Sequence, residues 1–485
     1  MTTTLRSTTS ESPYVEKPES ATKKAALFFA GLSLLLTMRV GLNGAAFCVK
    51  RFQLDEKLFS LYVSRIYCAM ELFCLMSVTI GTIYVQTTQS HYEKISIAVS
   101  IAYSFINIVL LLVFISGGTH GHLTGFYWTL IGSAVIYGQK QVFIFKLAGE
   151  SLVYYLAAVP LSGIMVSTFH VITLKLFGDR RRFNTDLLVV GFQICLSVVI
   201  TSIAAILWTQ AFLEKENTFE EQKKKGEAKR KKHQNDIESG KNGGSSIYGK
   251  PYEGTEKAVG VLKNLPVISP MIMSIIGLGT TFAFYPGIAP GKLVDFKYIN
   301  NVDVIIMILS SFPATLVALI SEVTSVGANK PWTGTNGFWH AFLFFPFIQV
   351  VCEILFLKVL HYPKSEAAKM FRNPRVAAFF TVLFFMCHAT SVGVGMAGVF
   401  PNSDTNITTL NLFLTLCTMN VLNFLSGGYM VEYNKYDWAH WPTRAMGGCA
   451  AFNFWLKKAA INALVNIKAV FTRDLREDIL TAAVG

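Results

Sequence analysis

Long apolar runs alternate along the chain with short polar connections. Each run holds about twenty residues or more, which as a helix is enough to cross the roughly 30 Å hydrocarbon core of a bilayer. Because backbone polar groups find no water in hydrocarbon, each run must form a helix. The pattern predicts an all-α, polytopic membrane protein with about eleven transmembrane helices, at residues 26–49, 59–85, 94–116, 122–147, 152–177, 186–213, 267–290, 302–328, 336–360, 376–400 and 408–432.

Polar segments divide these spans into six plus five. Residues 214–265 are too rich in charge, glycine and serine to build a core, and their lysine clusters at 223–225 and 229–232 place them in the cytosol. The predicted organisation is a cytosolic disordered tail (1–25), an N-terminal six-helix bundle (26–213), a charged cytosolic linker (214–265), a C-terminal five-helix bundle (266–435) and a C-terminal tail (436–485).

The parity of the spans gives a topology. Six spans before a cytosolic linker put the N-terminus in the cytosol, and eleven spans put the C-terminal tail on the opposite side. Within that tail, residues 445–470 are more polar than the other runs. We predict a helix lying at the membrane interface there, with a twelfth span as the alternative.

Composition supports membrane insertion and excludes several classes of protein. Of the 485 residues 52% are hydrophobic and 15% charged, against about 25% charged in soluble chains. The net charge of +13 is explained by basic connections between spans, so no nucleic-acid partner is expected. The eight cysteines form no CxxC pair, so no disulfide framework is predicted. The expected location is the plasma membrane rather than an internal membrane.

Signatures of soluble enzymes are missing from the sequence. It contains no HExxH motif, no Walker loop and no paired-cysteine zinc site. Gly393-Val-Gly395-Met-Ala-Gly398 fits the dinucleotide fingerprint in letters, but it lies in an apolar span, where small residues allow close helix packing. We therefore predict no catalytic residues, no metal and no cofactor.

Ionisable residues inside spans usually face a cavity or a partner, because they are costly in hydrocarbon. Arg39 and Glu71 fall near the centres of the first and second spans and are expected to pair, either as a lock between two helices or as part of a transport path. His388, central in the tenth span, is interpreted as a packing histidine or a proton relay. Lys140, Arg65 and Glu353 lie nearer the ends of their spans and are expected to snorkel to the interface.

Helix-breaking residues mark the end of the seventh span. The segment Phe284-Tyr285-Pro286-Gly287 indicates a bend or an early helix end. Carriers commonly build binding sites where a helix is interrupted, and the two rings could stack on a flat solute. A simple helix stop at the interface is the alternative.

Several segments together resemble one transporter family. The long charged loop after the sixth span and the Tyr-Pro-Gly step in the seventh are similar to those of equilibrative nucleoside transporters, most closely the protozoan-parasite branch. Three stretches carry the resemblance: Ile131 to Gln139, Ala157 to Gly163 and Thr281 to Gly287. The resemblance implies the fold of the major facilitator superfamily with one helix fewer, and nucleobase contact by Gln139.

The sequence departs from that family at its sugar-binding positions. The family's eighth span usually carries an aspartate and, four residues later, an arginine, but the corresponding stretch Ser310 to Val317 has neither. The first-span tryptophan is absent from Thr37 to Ala45, and His340 and Ala341 stand where the ninth span usually has an arginine. The resemblance therefore does not imply recognition of ribose in the family manner.

The sequence thus predicts a solute carrier rather than an enzyme. It would move a nucleoside, nucleobase or similar small polar solute across the lipid bilayer by alternating access, and proton coupling is compatible with its residues. The alternatives are a carrier of an unrelated solute such as an amino acid or organic anion, and a diverged non-transporting receptor. The predicted substrate-binding residues are Gln139, Asn43, Arg39, Tyr285, Phe284 and His388, and the predicted structural or gating residues are Glu71, Pro286, Gly287, Gly163 and Gly395.

Overall fold

The structure, a computed structural model, describes residues 21–88, 91–148, 151–238, 265–403, 405–437 and 440–484. All regular secondary structure in these residues is helical, so the predicted all-α class is confirmed. The first group of helices comprises α1 (Ala21–Leu34), α2 (Leu36–Asn43), α3 (Ala45–Arg51), α4 (Phe59–Thr87), α5 (Tyr92–Ile115), α6 (Leu123–Leu147), α7 (Leu152–Phe177) and α8 (Thr185–Glu238).

The second group begins at Leu265, at the end of the predicted linker. It comprises α9 (Leu265–Gly279), α10 (Thr281–Phe284), α11 (Phe296–Leu309), α12 (Ser311–Val323), α13 (Phe344–His361), α14 (Glu366–Phe371), α15 (Pro374–Asn402) and α16 (Thr405–Tyr433). A 3₁₀ segment, Gly334–Leu343, leads into α13. Two further helices follow, α17 (Gly448–Ala469) and α18 (Leu475–Val484).

Ten segments of the described residues are long and apolar enough to cross a membrane. They coincide with ten of the predicted spans, and α6 occupies the predicted fourth position without meeting that criterion. Large apolar side chains such as Phe105 and Phe347 are each 64% exposed, as expected where lipid replaces water. The chain is therefore an integral, multi-pass membrane protein, and the count of eleven spans stays a prediction.

Three predicted spans are interrupted rather than continuous. The first breaks at Leu35 and Gly44, and the eighth breaks at Ser310. The helical part of the seventh ends at Phe284, so the early helix end predicted at Tyr285-Pro286 is where the structure places it. Proline supplies no N–H for a continuing helix, which accounts for that stop.

Helices pack mainly within their own group. In the first group α5 packs on α8, α1 on α7 and α8, and α4 on α6; in the second, α9 packs on α15 and α16. The two groups meet along α4 with α16 and along α7 with α12. Helices α4 and α16 are antiparallel, because Cys68 contacts Asn423 and the side chain of Ser64 lies beside Gly427.

Two segments differ from the predicted organisation. Helix α8 continues to Glu238, well past the predicted end of the sixth span, because its glutamate, lysine, arginine and alanine residues favour helix. Helix α1 begins at Ala21, and the rest of the predicted N-terminal tail, like residues 239–264 of the linker, lies outside the described residues.

The two C-terminal helices, which we call the C-terminal strap (residues 448–484), pack on both groups. Helix α17 packs along α16, and α18 packs on α4 and α6. The antiparallel pairing places the end of α16 beside the start of α4, and α18 contacts Phe52, just before α4. The strap therefore leaves and returns at the same end of the molecule, and the interfacial helix stays a prediction beside the twelfth span.

Candidate solute-binding site

Arg39 projects from α2 towards the contact between the two helix groups. Its Nη1 donates to the carbonyl of Pro160 in α7 at 3.2 Å, and Ser311 of α12 donates to the same carbonyl at 2.6 Å. At Gly163, one turn further along α7, a Cβ atom would collide with the Arg39 guanidinium and with the backbone of Met307. Glycine is thus needed there for the close approach of these helices.

A tyrosine of the second group lies near this arginine and is bonded to a buried aspartate. The hydroxyl of Tyr285 donates to Asp303 Oδ1 at 2.9 Å, and both side chains are buried. Across the contact, Tyr67 of α4 stacks on Phe282, with ring centroids 5.6 Å apart. Arg39 lies within electrostatic range of both Tyr67 and Tyr285.

His388 of α15 completes the group. Its Nδ1 is 2.7 Å from the carbonyl of Gly277 and 2.8 Å from the hydroxyl of Thr281. A carbonyl only accepts, so this geometry assigns the proton to Nδ1 and leaves Nε2 as an acceptor. Arg39 also lies within electrostatic range of this ring. We call Arg39, Tyr67, Tyr285, Asp303 and His388 the central polar cluster.

The cluster includes three of the six predicted substrate-binding residues: Arg39, Tyr285 and His388. Gln139 lies elsewhere, where its Nε2 donates to the carbonyl of Ser77 at 2.6 Å and its Oε1 lies against Gly81. Asn43 donates to Ser167 of α7 at 3.2 Å.

The ring of Phe284 packs edge-on against the ring of Phe384, with centroids 6.3 Å apart.

The contacts of Gln139 support interhelical packing, and its contact with a solute stays a prediction.

The ion pair expected between Arg39 and Glu71 is not formed. Arg39 is bonded to the backbone of α7, while Glu71 interacts with Tyr137 of α6. The expectation was wrong because adjacent position in sequence and similar depth do not determine the direction in which each side chain leaves its helix.

Predicted glycines mark close helix contacts. A Cβ on Gly395 would lie 2.8 Å from the backbone of Pro270 and Ser274 in α9, as the packing interpretation of the glycine motif requires. Gly287 follows the buried Pro286. A Cβ atom added to Gly287 would lie 3.7 Å from the carbonyl oxygen of Ser60 in the first group.

Three charged residues expected to snorkel are instead buried. Lys140 is 3% exposed and donates to Ser33 at 2.9 Å. Glu353, 7% exposed, accepts from Thr280, and Arg65, 6% exposed, belongs to an ion pair with the strap. Each is buried because neighbouring helices offer polar partners nearer than the membrane surface, which sequence position alone does not show.

Asp303 was missed by the sequence argument. It lies at the start of the predicted eighth span, where a charge suggests the interface, but α11 begins at Phe296 and so places it two turns inside the helix. Position 307, four residues later, is a methionine, and its backbone lies beside the Arg39 guanidinium. A search for acidic residues along the whole span would have found this carboxylate.

Comparisons with known proteins locate the fold. No protein-family model and no curated protein sequence matches the chain. A D-xylose-proton symporter structure is similar over 93% of this chain and 97% of its own, with 10% identity and a TM-score of 0.52. A partially occluded inward-open structure of the xylose transporter XylE from E. coli is similar over 93% and 99%, with 11% identity and a TM-score of 0.50.

A third structure has the same arrangement. The major facilitator superfamily proton:xylose symporter XylE bound to 6-bromo-6-deoxy-D-glucose is similar over 93% of this chain and 95% of its own, with 12% identity and a TM-score of 0.50. Because the sequence identities to these structures are this low, the similarity shows the fold alone. The chain therefore has a major-facilitator-type fold.

Proposed function

We propose that the chain is a solute carrier that works by alternating access and binds its solute at the central polar cluster. The observation that carries this proposal is the composition of the cluster. Arg39 and Tyr67 come from the first helix group, and Tyr285, Asp303 and His388 from the second. A solute held between them would contact both groups, which is the arrangement that couples binding to rocking of one group against the other.

The proposed substrate is a nucleoside, a nucleobase or a similar small polar solute. The resemblance to equilibrative nucleoside transporters suggests this class, and the cluster adds support. Asp303 accepts hydrogen bonds as a carboxylate, and a guanidinium donates in a planar fork. Arg39, reaching the backbone of Met307 from another helix, would supply the positive charge that the eighth span lacks.

An organic anion is the second candidate. Among the described residues Arg39 has no carboxylate within ion-pair distance, and it donates a hydrogen bond to the neutral carbonyl of Pro160. A guanidinium that has no carboxylate partner is suited to bind a carboxylate or phosphate in bidentate fashion.

Counterflow in proteoliposomes tests the proposal. We expect exchange of radiolabelled adenosine or hypoxanthine that is inhibited by purines and not by amino acids or dicarboxylates. Arg39→Gln should reduce apparent affinity about tenfold or more, since a hydrogen bond to a charged group contributes about 1.5 to 3 kcal/mol. Arg180→Gln removes an exposed arginine at the end of α7 and serves as the control.

The outcomes separate the candidates. Inhibition by dicarboxylates alone would support the organic-anion carrier and contradict the nucleoside proposal. Saturable binding without counterflow would identify a receptor and overturn transport.

Proton coupling is part of the proposal. Solved structures with this fold include proteins named proton symporters, and His388 and Asp303 are titratable groups of the cluster. An inward proton gradient should accelerate uptake, and an equal rate with and without the gradient would remove coupling. We further propose the six-plus-five organisation and residence in the plasma membrane.

A further inference from the structure

One end of the molecule is closed by contacts between the two helix groups. Phe59 at the start of α4 packs edge-on against Phe296 at the start of α11, with centroids 5.8 Å apart. The amine of Lys50 lies 5.5 Å from the same ring, and Gly291 lies beside Ser60. We call this the gate end. Under the predicted topology it faces the outside.

The first helix of the strap belongs to the second group. Trp455 of α17 packs against Tyr429 and Trp441, with ring centroids 5.7 and 5.1 Å away. Asn462 donates to the carbonyl of Gly428 at 3.2 Å, and the missing side chain of Gly428 lets the backbone of α17 approach closely. This contact is extensive and largely apolar, so α17 moves with α16.

The second helix of the strap makes several polar contacts with the first group. Asp478 of α18 pairs with Arg65 of α4 at 2.9 Å and with Arg473 at 3.3 Å. The hydroxyl of Thr124 in α6 donates to Asp474 at 2.8 Å. This bond, with backbone donors, lowers the pKa of Asp474 from its ordinary value, so the carboxylate is charged at neutral pH.

Further bonds attach the strap to the connections at the gate end. Arg476 donates to the carbonyl of Phe52 at 3.1 Å and to that of His120 at 2.9 Å. The indole of Trp128 donates to the carbonyl of Arg473 at 3.2 Å. Helix α18 thus contacts the segment before α4 and the segment before α6, which both belong to the first group.

We propose that the C-terminal strap is a latch across the gate end, and that α18 leaves the first group whenever this end opens. The strap is fixed to the second group by α17 and to the first by α18, so the groups cannot separate here with both attachments intact. The weaker attachment is α18, because it has 10 residues against the 22 of α17, its polar contacts are partly exposed, and its fully buried apolar side chains are Leu475 and Ile479. The latch presupposes the alternating access proposed above.

Spin-label distances test the latch without any substrate. Labels at Lys57→Cys and Lys297→Cys, on opposite helix groups at the gate end, report its opening; the less buried Cys195, Cys417 and Cys449 are replaced by alanine. In Asp478→Asn we expect the ratio of open to closed molecules to rise about fivefold, which corresponds to about 1 kcal/mol.

A second ion pair gives a matched control. Asp186 pairs with Arg180 at 2.8 Å and is about as exposed as Asp478, but both members of this pair lie in the first group. Asp186→Asn should leave the distance distribution unchanged. Because Asp478→Asn leaves two arginines without their partner and could unfold the protein, Arg476→Ala is measured beside it and should shift the distribution in the same direction.

A disulfide between the strap and the first group should have the opposite effect to the substitutions, because it holds the gate end closed. Cross-linking Thr124→Cys to Asp474→Cys should hold the gate end closed until a reductant is added, whereas cross-linking Asn462→Cys to Glu432→Cys, within the second group, should not. Wild-type distances in folded Asp478→Asn and Arg476→Ala, or full opening of the cross-linked strap, would overturn the latch. Absence of solute counterflow with these distance changes intact would instead contradict only the proposed transport.

Discussion

Two buried ionisable residues in this chain are held by neutral partners. Lys140 donates to the hydroxyl of Ser33, and Asp303 accepts from the phenol of Tyr285. Among the described residues neither has an oppositely charged group within ion-pair distance. An ion without a counter-ion costs free energy in a low-dielectric interior, so such residues are expected to be retained for function rather than for stability.

Lys140 allows a direct test of this cost. Its amine lies 5.0 Å from the ring of Tyr103 and, within the part of the chain that the structure describes, donates a hydrogen bond only to Ser33. Lys140→Met keeps the chain length and removes the charge, so the thermal unfolding midpoint should rise by several degrees. Lys146→Met, at an exposed position of the same helix, should leave the midpoint within experimental error. A lower midpoint for Lys140→Met would show that its contacts outweigh the desolvation of the amine.

At the scale of helices, close approach depends on a few glycines. Helices α9 and α15 meet where Gly395 faces the backbone of Pro270 and Ser274, and α15 accommodates the ring of Trp332 at Gly398. The apolar motif that resembles a dinucleotide fingerprint is thus a packing surface of α15, with different glycines facing different neighbours.

Two glycines make a matched pair. Gly395→Ala would force the helices apart and should destabilise the protein by about 1 to 3 kcal/mol. Gly41→Ala, in α2, meets no atom within 4 Å and should stabilise it by about 0.5 to 1 kcal/mol. Thermal unfolding of the two purified variants checks both signs, and an unchanged midpoint for Gly395→Ala would show that α9 and α15 can shift without cost.

Helix positions could be predicted from sequence, because a helix that crosses hydrocarbon requires a long apolar run. The breaks at Leu35 and Ser310 could not, since neither is a proline or glycine. The contacts between residues of different helices were harder to predict from sequence than the helix positions. The pairing of Arg65 with Asp478 joins residues far apart in the chain, and a hydrophobicity pattern carries no information about which helices are neighbours.

For the whole molecule, the antiparallel pairing of α4 with α16 puts the strap and the gate end on one side. The charged linker continues from α8, whose last part lies beyond the opposite end of the sixth span. The predicted topology therefore exposes the strap to the outside, and the linker to the cytosol.

Cys449 reports this topology without any mutation. It is exposed and lies at the start of α17. In intact cells a membrane-impermeant maleimide should label it, and Cys449→Ser should abolish that labelling. Labelling that requires permeabilised cells would invert the assignment of every connection.

The shared carbonyl of Pro160 has a mechanical consequence. Because Arg39 and Ser311 both donate to this carbonyl, the crossing of α7 and α12 is the point about which one helix group would rotate against the other. From there to the end of α7 at Phe177 is a lever arm of about 25 Å. A rotation of about 15°, comparable to known rigid-body transitions, would move its tip by about 6 to 7 Å. Hydrogen bonds of about 3 Å, such as those of Arg476, could not follow that displacement and would all break together.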